Sequence, residues 1–269
     1  MERFSKPLVF LLVALLGLAV LAGCGGDTTT TAAPADTTTT VASKGELTYA
    51  MSGLYKPFNF TKDGELVGFD VEIGQALAEK MGMTAKPVTN PWETIIEGLK
   101  SKKYDVIIGS MAITEKRLEQ VNFTNPYYRS GAQIFVAADN STIASKEDLA
   151  GLKIGVVKAS TFKDIAVTLT DEDKVVGYDS DVIALQDLTT GRIDAVITDA
   201  VVGFSAIKEN GLEIKDVSAP LYVDEMGITV RKEDTALLAD LNTALDAIIA
   251  DGTYDRISQK WLGRNILGE

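Results

Sequence analysis

The sequence predicts an α/β protein built of two lobes. Short apolar runs that read as strands alternate with helical patterns along most of the chain. The alternation pauses near Tyr128 and then begins again. Alternating strands and helices form largely parallel sheets, so two successive blocks predict two such lobes. We find no repeat of a fixed short period, which excludes a solenoid.

The first block precedes Tyr128. Its predicted helix, VEIGQALAEKMG, ends at Gly82, a residue type that commonly terminates helices. One face of this helix is apolar and consists of Val71, Ile73, Ala76, Leu77 and Met81. The segment WETIIEGLKSK predicts a second helix, and the strands are predicted at ELTYAM, AKPVT and YDVIIGS.

The second block repeats the alternation. Strands are predicted at AQIFVA, LKIGVVK, DKVVGY and DAVITD, and helices at STFKDIAVTL, SDVIALQDLTTG and AVVGFSAIKEN. The last part of the sequence, ALLADLNTALDAIIADGTYDRISQKWLG, predicts a long amphipathic helix, a glycine stop and a second, shorter helix.

Residues 1–23 have the pattern of a secretion signal, with Arg3 and Lys6 before a short apolar core. Cys24, the only cysteine, ends the sequence LAGC, which resembles the lipobox of bacterial lipoproteins. That resemblance implies cleavage before Cys24 and a diacylglycerol on its sulfur. Two acyl chains anchor a protein stably, where one gives only marginal binding. The alternative is an ordinary cleaved signal peptide that leaves a free thiol.

Residues 24–45 are rich in Gly, Thr, Ala, Pro and Asp and contain no large apolar residue before Val41. Such a segment buries too little surface to offset the entropy of ordering it, so it predicts a disordered tether. The N-terminal region therefore predicts an extracytoplasmic protein, lipid-anchored to the cell membrane on its periplasmic face or at the cell surface.

Composition excludes several classes of function. The net charge is −12, which argues against binding to nucleic acid or to anionic lipid. The chain has no histidine, and the sole cysteine is assigned to the anchor, which removes Ser-His-Asp and Cys-His catalysis and the usual zinc ligands. The common phosphate-binding glycine motifs are absent, and DEDK at residues 171–174 lacks the spacing of a calcium loop. We therefore expect no cofactor and no metal.

Seven segments in order resemble the polar amino-acid family of periplasmic solute-binding proteins, whose members include glutamine-binding and lysine-arginine-ornithine-binding proteins. The segments are YKPFNF, GELVGFDVEIGQALAEKMG, WETIIEGLKSKKYDVIIGSMAITEKR, VNFTNPYY, DLAGLKIGVVKAS, GRIDAVITD and DGTYDRISQKWLG. The resemblance implies a type II periplasmic-binding-protein fold whose lobes close on an amino acid, without catalysis. It also implies an ABC permease and its ATPase as partners, and a monomer.

The same resemblance implies how the chain is divided. Lobe 1 would comprise residues 46–130 and 223–269, and lobe 2 residues 131–222. The chain would cross between the lobes near residues 128–132 and 222–227, and these two strands would act as a hinge around the ligand cleft.

Polar groups follow several predicted strands, at the edge where ligands collect in open α/β sheets. They include Gly109 to Met111, Ala159 to Phe162, and Asp199. KASTF opens a predicted helix, so the amides of Ser160 and Thr161 are predicted to face an anion, assisted by the helix dipole.

Arg117 is a two-pronged donor suited to a carboxylate, and its position in the predicted first turn of a helix is unfavourable for the dipole. The resemblance implies that Arg117 holds the ligand's α-carboxylate. The alternative is a surface arginine paired with Glu115 or Glu119.

Asp199 closes an apolar strand, where an unpaired charge is costly. The resemblance implies that it receives the ligand's α-ammonium. The alternative is the N-cap of the following helix, and the two roles are compatible.

The aromatic residues Tyr55 and Trp92 match the positions that, in the family, sandwich the aliphatic part of the ligand; the alternative is that they are ordinary core residues. Ser110 and the peptide groups of Gly109 and Met111 are expected to add hydrogen bonds that suit any amino acid.

Side-chain selectivity is predicted from four positions. Ser52 stands where both relatives named above carry an aspartate, which argues against a lysine, arginine or ornithine ligand. Ala112 lacks a hydroxyl that usually helps to bind the carboxylate, and Lys158 suits a carbonyl or carboxylate. Phe162 either narrows the pocket or packs under the helix. We expect an uncharged or acidic ligand, with a glutamine-like side chain favoured.

Two other functions remain open. Cyclohexadienyl dehydratases share the fold, and Lys158 and Glu225 are the candidate acid-base groups for such an enzyme. A sensor module that reports amino acids to a receptor would bind the same ligands without chemistry.

Overall fold

A computed structural model of the protein describes residues 45–268. The predicted signal peptide, Cys24 and almost all of the predicted tether lie outside the described residues. Within residues 45–268, no helix is both long enough and apolar enough to span a bilayer.

Twelve strands form in the described residues. Their bounds are β1 Glu46–Met51, β2 Leu54–Tyr55, β3 Asn59–Lys62, β4 Glu65–Val67, β5 Thr84–Thr89, β6 Val106–Ala112, β7 Val121–Phe123, β8 Tyr128–Ala137, β9 Ile154–Val157, β10 Val175–Tyr178, β11 Ala195–Asp199 and β12 Ile214–Arg231.

Eight α-helices accompany these strands. Their bounds are α1 Phe69–Lys80, α2 Ile95–Lys100, α3 Glu115–Leu118, α4 Thr161–Leu169, α5 Asp181–Thr189, α6 Ala200–Asn210, α7 Thr235–Ala250 and α8 Thr253–Leu262.

The main sheet runs in the order β10-β9-β11-β8-β12-β6-β1-β5, and β7 pairs with β12. β1 is parallel to β5 and β6, and β9 is parallel to β10 and β11. β8 and β12 are antiparallel to their neighbours and join the two parallel sets. The first lobe contains β1 to β7, α1 to α3, α7 and α8, and the second contains β9 to β11 and α4 to α6. This arrangement confirms the predicted α/β class with two lobes.

The long strands β8 and β12 pass between the lobes at the centre of the sheet. They pair from Tyr128↔Met226 to Ala132↔Tyr222, within the segments predicted to cross. The exact lobe boundaries given above stay a prediction. The sequence did not predict the separate sheet β2-β3-β4, nor the 3₁₀ turn at Trp92–Thr94 that precedes α2.

The core of the first lobe lies between its part of the sheet and the helices α1, α7 and α8. Tyr49 is fully buried against α1, and a side chain at Gly74 would lie 2.3 Å from the Tyr49 ring. Only glycine allows the helix to approach the strand this closely.

Both faces of the second lobe's sheet are covered by helices. Val156 and Ile197 belong to a cluster that includes α4 residues, whereas Val196 and Phe135 belong to a cluster with α5 and α6 residues. Because neighbouring residues of a strand point to opposite faces, these strands are apolar throughout. The carboxyl ends of β9, β10 and β11 therefore remain as the polar edge of this lobe.

Candidate functional site

A cleft of about 550 Å³, partly open to solvent, lies between the two lobes. The first lobe contributes Ser52, Leu54, Tyr55, Trp92, Gly109, Ser110, Ala112 and Arg117 to its lining. The second lobe contributes Val157, Ser160, Thr161, Phe162, Asp179, Ser180 and Asp181, and β12 contributes Met226.

Nine of the predicted site residues are in this lining, and Met111, Lys158 and Asp199 are not. The Met111 side chain is buried in the core of the first lobe, so only its peptide group is left for the predicted role. Lys158 pairs with Asp179 at 2.8 Å and lines a neighbouring, wider space together with Trp92.

Arg117 lies in α3, a helix of four residues whose N-cap is Thr114. The guanidinium Nη1 donates to the carbonyl of Ala112 at 2.8 Å, and its Cζ lies 5.7 Å from the centre of the Trp92 ring. A single turn has almost no macrodipole, so the predicted dipole penalty on Arg117 does not apply. That part of the sequence reasoning was wrong.

The Arg117 side chain is half-buried at the wall of the cleft. Burial lowers its pKa, and the charges of Asp224 and Asp164 act in the opposite direction. Within residues 45–268 it forms no ion pair, so the alternative pairing with Glu115 or Glu119 is absent there. Only Nη1 of its side-chain donors has a hydrogen bond among these residues, so the other donors are available to an anion.

Ser110 has a left-handed backbone, with φ of 60°, inside β6. Its amide donates to the Tyr127 hydroxyl at 2.9 Å, and its hydroxyl donates to Asp70 at 2.9 Å. A left-handed conformation costs a residue other than glycine roughly 1–2 kcal/mol. The bonds to Tyr127 and Asp70 hold Ser110 in this conformation at the wall of the cleft.

Asp70 is the centre of this network and was not predicted from the sequence. Besides the Ser110 hydroxyl, it accepts from Asn59 and Tyr127, each at 2.7 Å. Burial raises the pKa of Asp70 to about 6, and these three hydrogen bonds act to lower it. The network satisfies a fully buried carboxylate without a cation.

Replacing Tyr127 with phenylalanine should reveal the role of this network. The change leaves Asp70 one donor short and the Ser110 amide without its acceptor. We expect a loss of about 1–3 kcal/mol in the free energy of unfolding, measured by denaturant titration. Tyr128→Phe serves as the control, because the buried Tyr128 hydroxyl has no hydrogen-bond partner within residues 45–268 and its removal breaks no such bond. Unchanged stability in Tyr127→Phe would contradict the proposed support of Ser110.

The first turn of α4 faces the cleft from the second lobe. Ser160 is the N-cap, and its hydroxyl accepts from the Lys163 amide at 3.3 Å. Its own amide donates to the carbonyl of Val157. The Ser160 amide is therefore not free to bind an anion, contrary to the prediction. The amide of Thr161 begins the helix, where N–H groups lack an intrahelical acceptor. The predicted anion contact is therefore limited to Thr161 and its neighbours in the first turn.

Asp179 and Asp181 are the cleft-lining carboxylates that sequence reasoning missed, and of the two Asp181 is buried. It is 3% exposed and accepts from the Thr198 hydroxyl at 2.5 Å. Burial raises the pKa of Asp181 to about 6. The available signal was DSD, which follows the predicted strand DKVVGY and so lies at a strand's carboxyl end.

Asp199 lies behind this surface, at the end of β11. It is 1% exposed and caps α6, with the Val201 amide 2.7 Å from its Oδ1. Burial raises the pKa of Asp199 to about 7, and the nearby charge of Asp181 acts in the same direction. The predicted N-cap role is thus present.

Polar contacts join the lobes across the cleft. The Trp92 indole donates to the carbonyl of Ala159 at 3.3 Å, and Lys56 pairs with Glu209 at 2.9 Å and donates to the Asn210 side chain at 3.4 Å. Beside the cleft, Tyr55 stacks on Phe58 with ring centres 5.4 Å apart. Tyr55 and Trp92 both line the cavity from the first lobe, and Trp92 also contacts the second lobe at Ala159.

Comparison with known proteins gives this cleft a context. Residues 47–264 match the family described as bacterial extracellular solute-binding proteins, family 3. The L-cystine-binding protein TcyJ of Escherichia coli strain K12 is 31% identical over 255 residues, covering 94% of this chain and 96% of TcyJ.

Solved structures are similar as well. An ancestral arginine-binding protein, solved with glutamine and with arginine, has a TM-score of 0.78 and 38% identity, and the match covers 82% of this chain and 99% of that one. The ancestral amino acid-binding protein AncCDT-1, described as a precursor of cyclohexadienyl dehydratase, has a TM-score of 0.77 and 31% identity, with 82% and 96% covered. The chain belongs to the bacterial extracellular solute-binding proteins of family 3.

Proposed function

We propose that the protein captures a polar L-amino acid between its lobes and delivers it to the permease of an ABC importer. The observation that carries this proposal is the distribution of charge in the cleft. A half-buried guanidinium, Arg117, lines it from the first lobe, and a buried carboxylate, Asp181, lines it from the second. A ligand that carries both complementary charges, as an amino acid does, fits this distribution.

The ligand's α-carboxylate binds the free donors of Arg117 and the first-turn amides at Thr161. Its α-ammonium binds on the acidic side of the cleft, where Asp199 lies. Tyr55 and Trp92 enclose the aliphatic part, and Ser110 with the peptide groups of Gly109 and Met111 adds hydrogen bonds. Closure of the lobes around the hinge strands then buries the ligand, and the closed form docks on the permease.

The remaining parts of the proposal concern location and assembly. Cleavage before Cys24 and its acylation leave the protein, as a monomer, tethered to the outer face of the membrane. Loss of membrane retention in Cys24→Ser, assayed by fractionation of cells that express the full chain, tests this step.

The chemical nature of the ligand's side chain is the part of the proposal that the cleft constrains least. Ser52 argues against a basic side chain, which leaves an uncharged or acidic one with a glutamine-like group favoured, and the ancestral arginine-binding protein was solved with glutamine as well as arginine. Lys158 was expected to suit a carbonyl or carboxylate, but it does not line the main cavity, and it pairs with Asp179, which does.

The proposal predicts stabilisation by specific amino acids. Thermal unfolding of residues 44–269 is measured with each of the twenty common amino acids, ornithine, citrulline, cystine, prephenate and arogenate. A ligand at about a hundred times its dissociation constant should add roughly 2.7 kcal/mol of stability. We expect this shift with a small set of polar amino acids. No shift with any amino acid, or a shift with prephenate or arogenate alone, would contradict capture.

The dehydratase alternative requires acid-base groups at the ligand, and both of its candidates are engaged elsewhere. Lys158 pairs with Asp179, and Glu225 pairs with Arg129 at 2.6 Å on the exposed side of the hinge. Incubation with prephenate, followed by assay for phenylpyruvate, tests this alternative directly. Permease and ATPase genes beside this gene would support transport, whereas a receptor or kinase gene would support sensing.

A further inference from the structure

The buried charges of the cleft do not balance. Asp181 and Asp199 are at most 3% exposed, and neither forms an ion pair within residues 45–268. A carboxylate buried without a cation is costly, and proteins pair such groups or neutralise them. Two buried carboxylates therefore stand on the second lobe's side of the cleft, and no cationic side chain of residues 45–268 pairs with them.

Arg117 does not supply the missing charge. The acids that act on its pKa are Asp224 and Asp164, and neither Asp181 nor Asp199 is among them. Asp224 accepts a hydrogen bond from the Thr161 hydroxyl at 3.2 Å, which locates this pair of acids near the start of α4. The guanidinium thus has acidic neighbours of its own, distinct from the two carboxylates near β11.

A zwitterionic amino acid would leave this imbalance in place. Its carboxylate and its α-ammonium add no net charge, and the single ammonium would meet two carboxylates. A ligand with a second positive group would provide one positive charge for each of the two carboxylates, Asp181 and Asp199. Ser52, where the relatives named above carry an aspartate, removes the first-lobe partner for such a group, and Asp181 offers one from the opposite lobe.

We propose that Asp181 binds a positively charged group on the ligand's side chain, so that the ligand is a cationic amino acid with a distal guanidinium or ammonium. The α-ammonium then belongs to Asp199. This inference rests on the proposed function and replaces the glutamine-like preference drawn from Ser52. Thr198 fixes one oxygen of Asp181 by its hydroxyl and leaves the other for the ligand.

Two ligand pairs isolate the distal charge. Arginine and citrulline have the same shape and differ in that charge, and lysine and glutamine differ in it at similar length. Isothermal titration calorimetry is run at pH 8 with residues 44–269 carrying no substitution, Asp181→Asn or Asp173→Asn. Asp173 is the control because it is an aspartate of the same lobe with a side chain 77% exposed, and it does not line the cleft.

We expect the unsubstituted protein to prefer the charged member of at least one pair. Asp181→Asn should weaken the binding of that ligand by about thirty-fold or more, as truncation of one partner of a buried charge pair does. The affinity for the uncharged analogue should change by less than about three-fold. Asp173→Asn should change neither affinity by more than about three-fold, since its ion pair with Lys174 is exposed.

Two results would overturn the inference while leaving capture intact. One is equal or tighter binding of the uncharged member in both pairs. The other is an equal loss for both members in Asp181→Asn, which would assign Asp181 to the α-ammonium. If no amino acid binds the unsubstituted protein, the proposed function fails together with the inference.

Discussion

Replacing Arg117 with alanine is expected to weaken amino-acid binding by about a hundred-fold or more. The guanidinium lines the cleft, is half-buried, and has donors that no described residue uses. Removing it leaves the ligand's carboxylate desolvated and without a charged partner, and truncating one side of a buried hydrogen-bonded charge pair typically costs about 2–5 kcal/mol. Titration calorimetry with the ligand found by thermal unfolding measures the loss.

Two further variants test whether the loss is due to the guanidinium N–H donors of Arg117. Arg117→Lys keeps the charge and loses the planar bidentate geometry, so its affinity should lie between those of arginine and alanine. Arg192→Ala removes an arginine of the second lobe with a side chain 72% exposed, and it should bind as the unsubstituted protein does. Unchanged affinity in Arg117→Ala would remove the carboxylate contact from the proposed mechanism. An equal loss in Arg192→Ala would point to a general effect of net charge.

The local parts of the fold could be predicted from the sequence. Helix α1 ends where its glycine signal indicates, with Met81 as C-cap and Gly82 in a left-handed conformation. Strands and helices with clear periodicity were found because the signal lies in neighbouring residues. α3 was not predicted as a single turn, since its length is set by β7, which begins at Val121 and pairs with β12 far along the chain.

The candidate site could be predicted only in part. Arg117, Tyr55 and Trp92 were found because the family resemblance marks their segments. In DSD, however, local sequence cannot tell the two aspartates apart. The fold exposes Asp179 beside Lys158 and buries Asp181 against Thr198 of a different strand. Which aspartate is buried depends on contacts between strands distant in sequence, which no local pattern encodes.

Closure of the cleft depends on residues that local patterns cannot connect either. Trp92 reaches Ala159, which has a left-handed backbone with φ of 55° at the end of β9. Ser110, on the opposite wall, is also left-handed. Strained backbone of this kind persists only where its surroundings hold it, and at Ser110 those are Tyr127 and Asp70. At Ser110, therefore, the cleft wall presents groups whose conformation is held by a buried hydrogen-bond network.

Ligand affinity is expected to fall by about a hundred-fold or more as the pH drops from 8 to 5. Burial raises the pKa of Asp199 to about 7 and that of Asp181 to about 6. A cationic ligand binds their ionised forms, so below these pKa values binding must first release a proton. The charges of arginine or lysine do not change between pH 5 and 8, and Arg117 stays protonated. Calorimetry across this range measures the effect, and constant affinity would contradict it.

The raised pKa values of Asp181 and Asp199 have the opposite effect on stability: without ligand, they make the protein less stable as the pH rises. An aspartate with a pKa near 3.9 when unfolded and about 6 when folded binds more protons in the folded state, so its contribution to stability is lost as the pH rises through that window. Asp181→Asn mimics the protonated form at every pH. Without ligand, its free energy of unfolding should match that of the unsubstituted protein at pH 4 and exceed it by about 1–3 kcal/mol above pH 7. Asp173→Asn, where the carboxylate is exposed, should show no such divergence. A variant that gains stability and loses affinity for cationic ligands is the result expected of a carboxylate kept buried for its ligand, whereas one that loses stability at pH 8 would assign Asp181 a structural role instead.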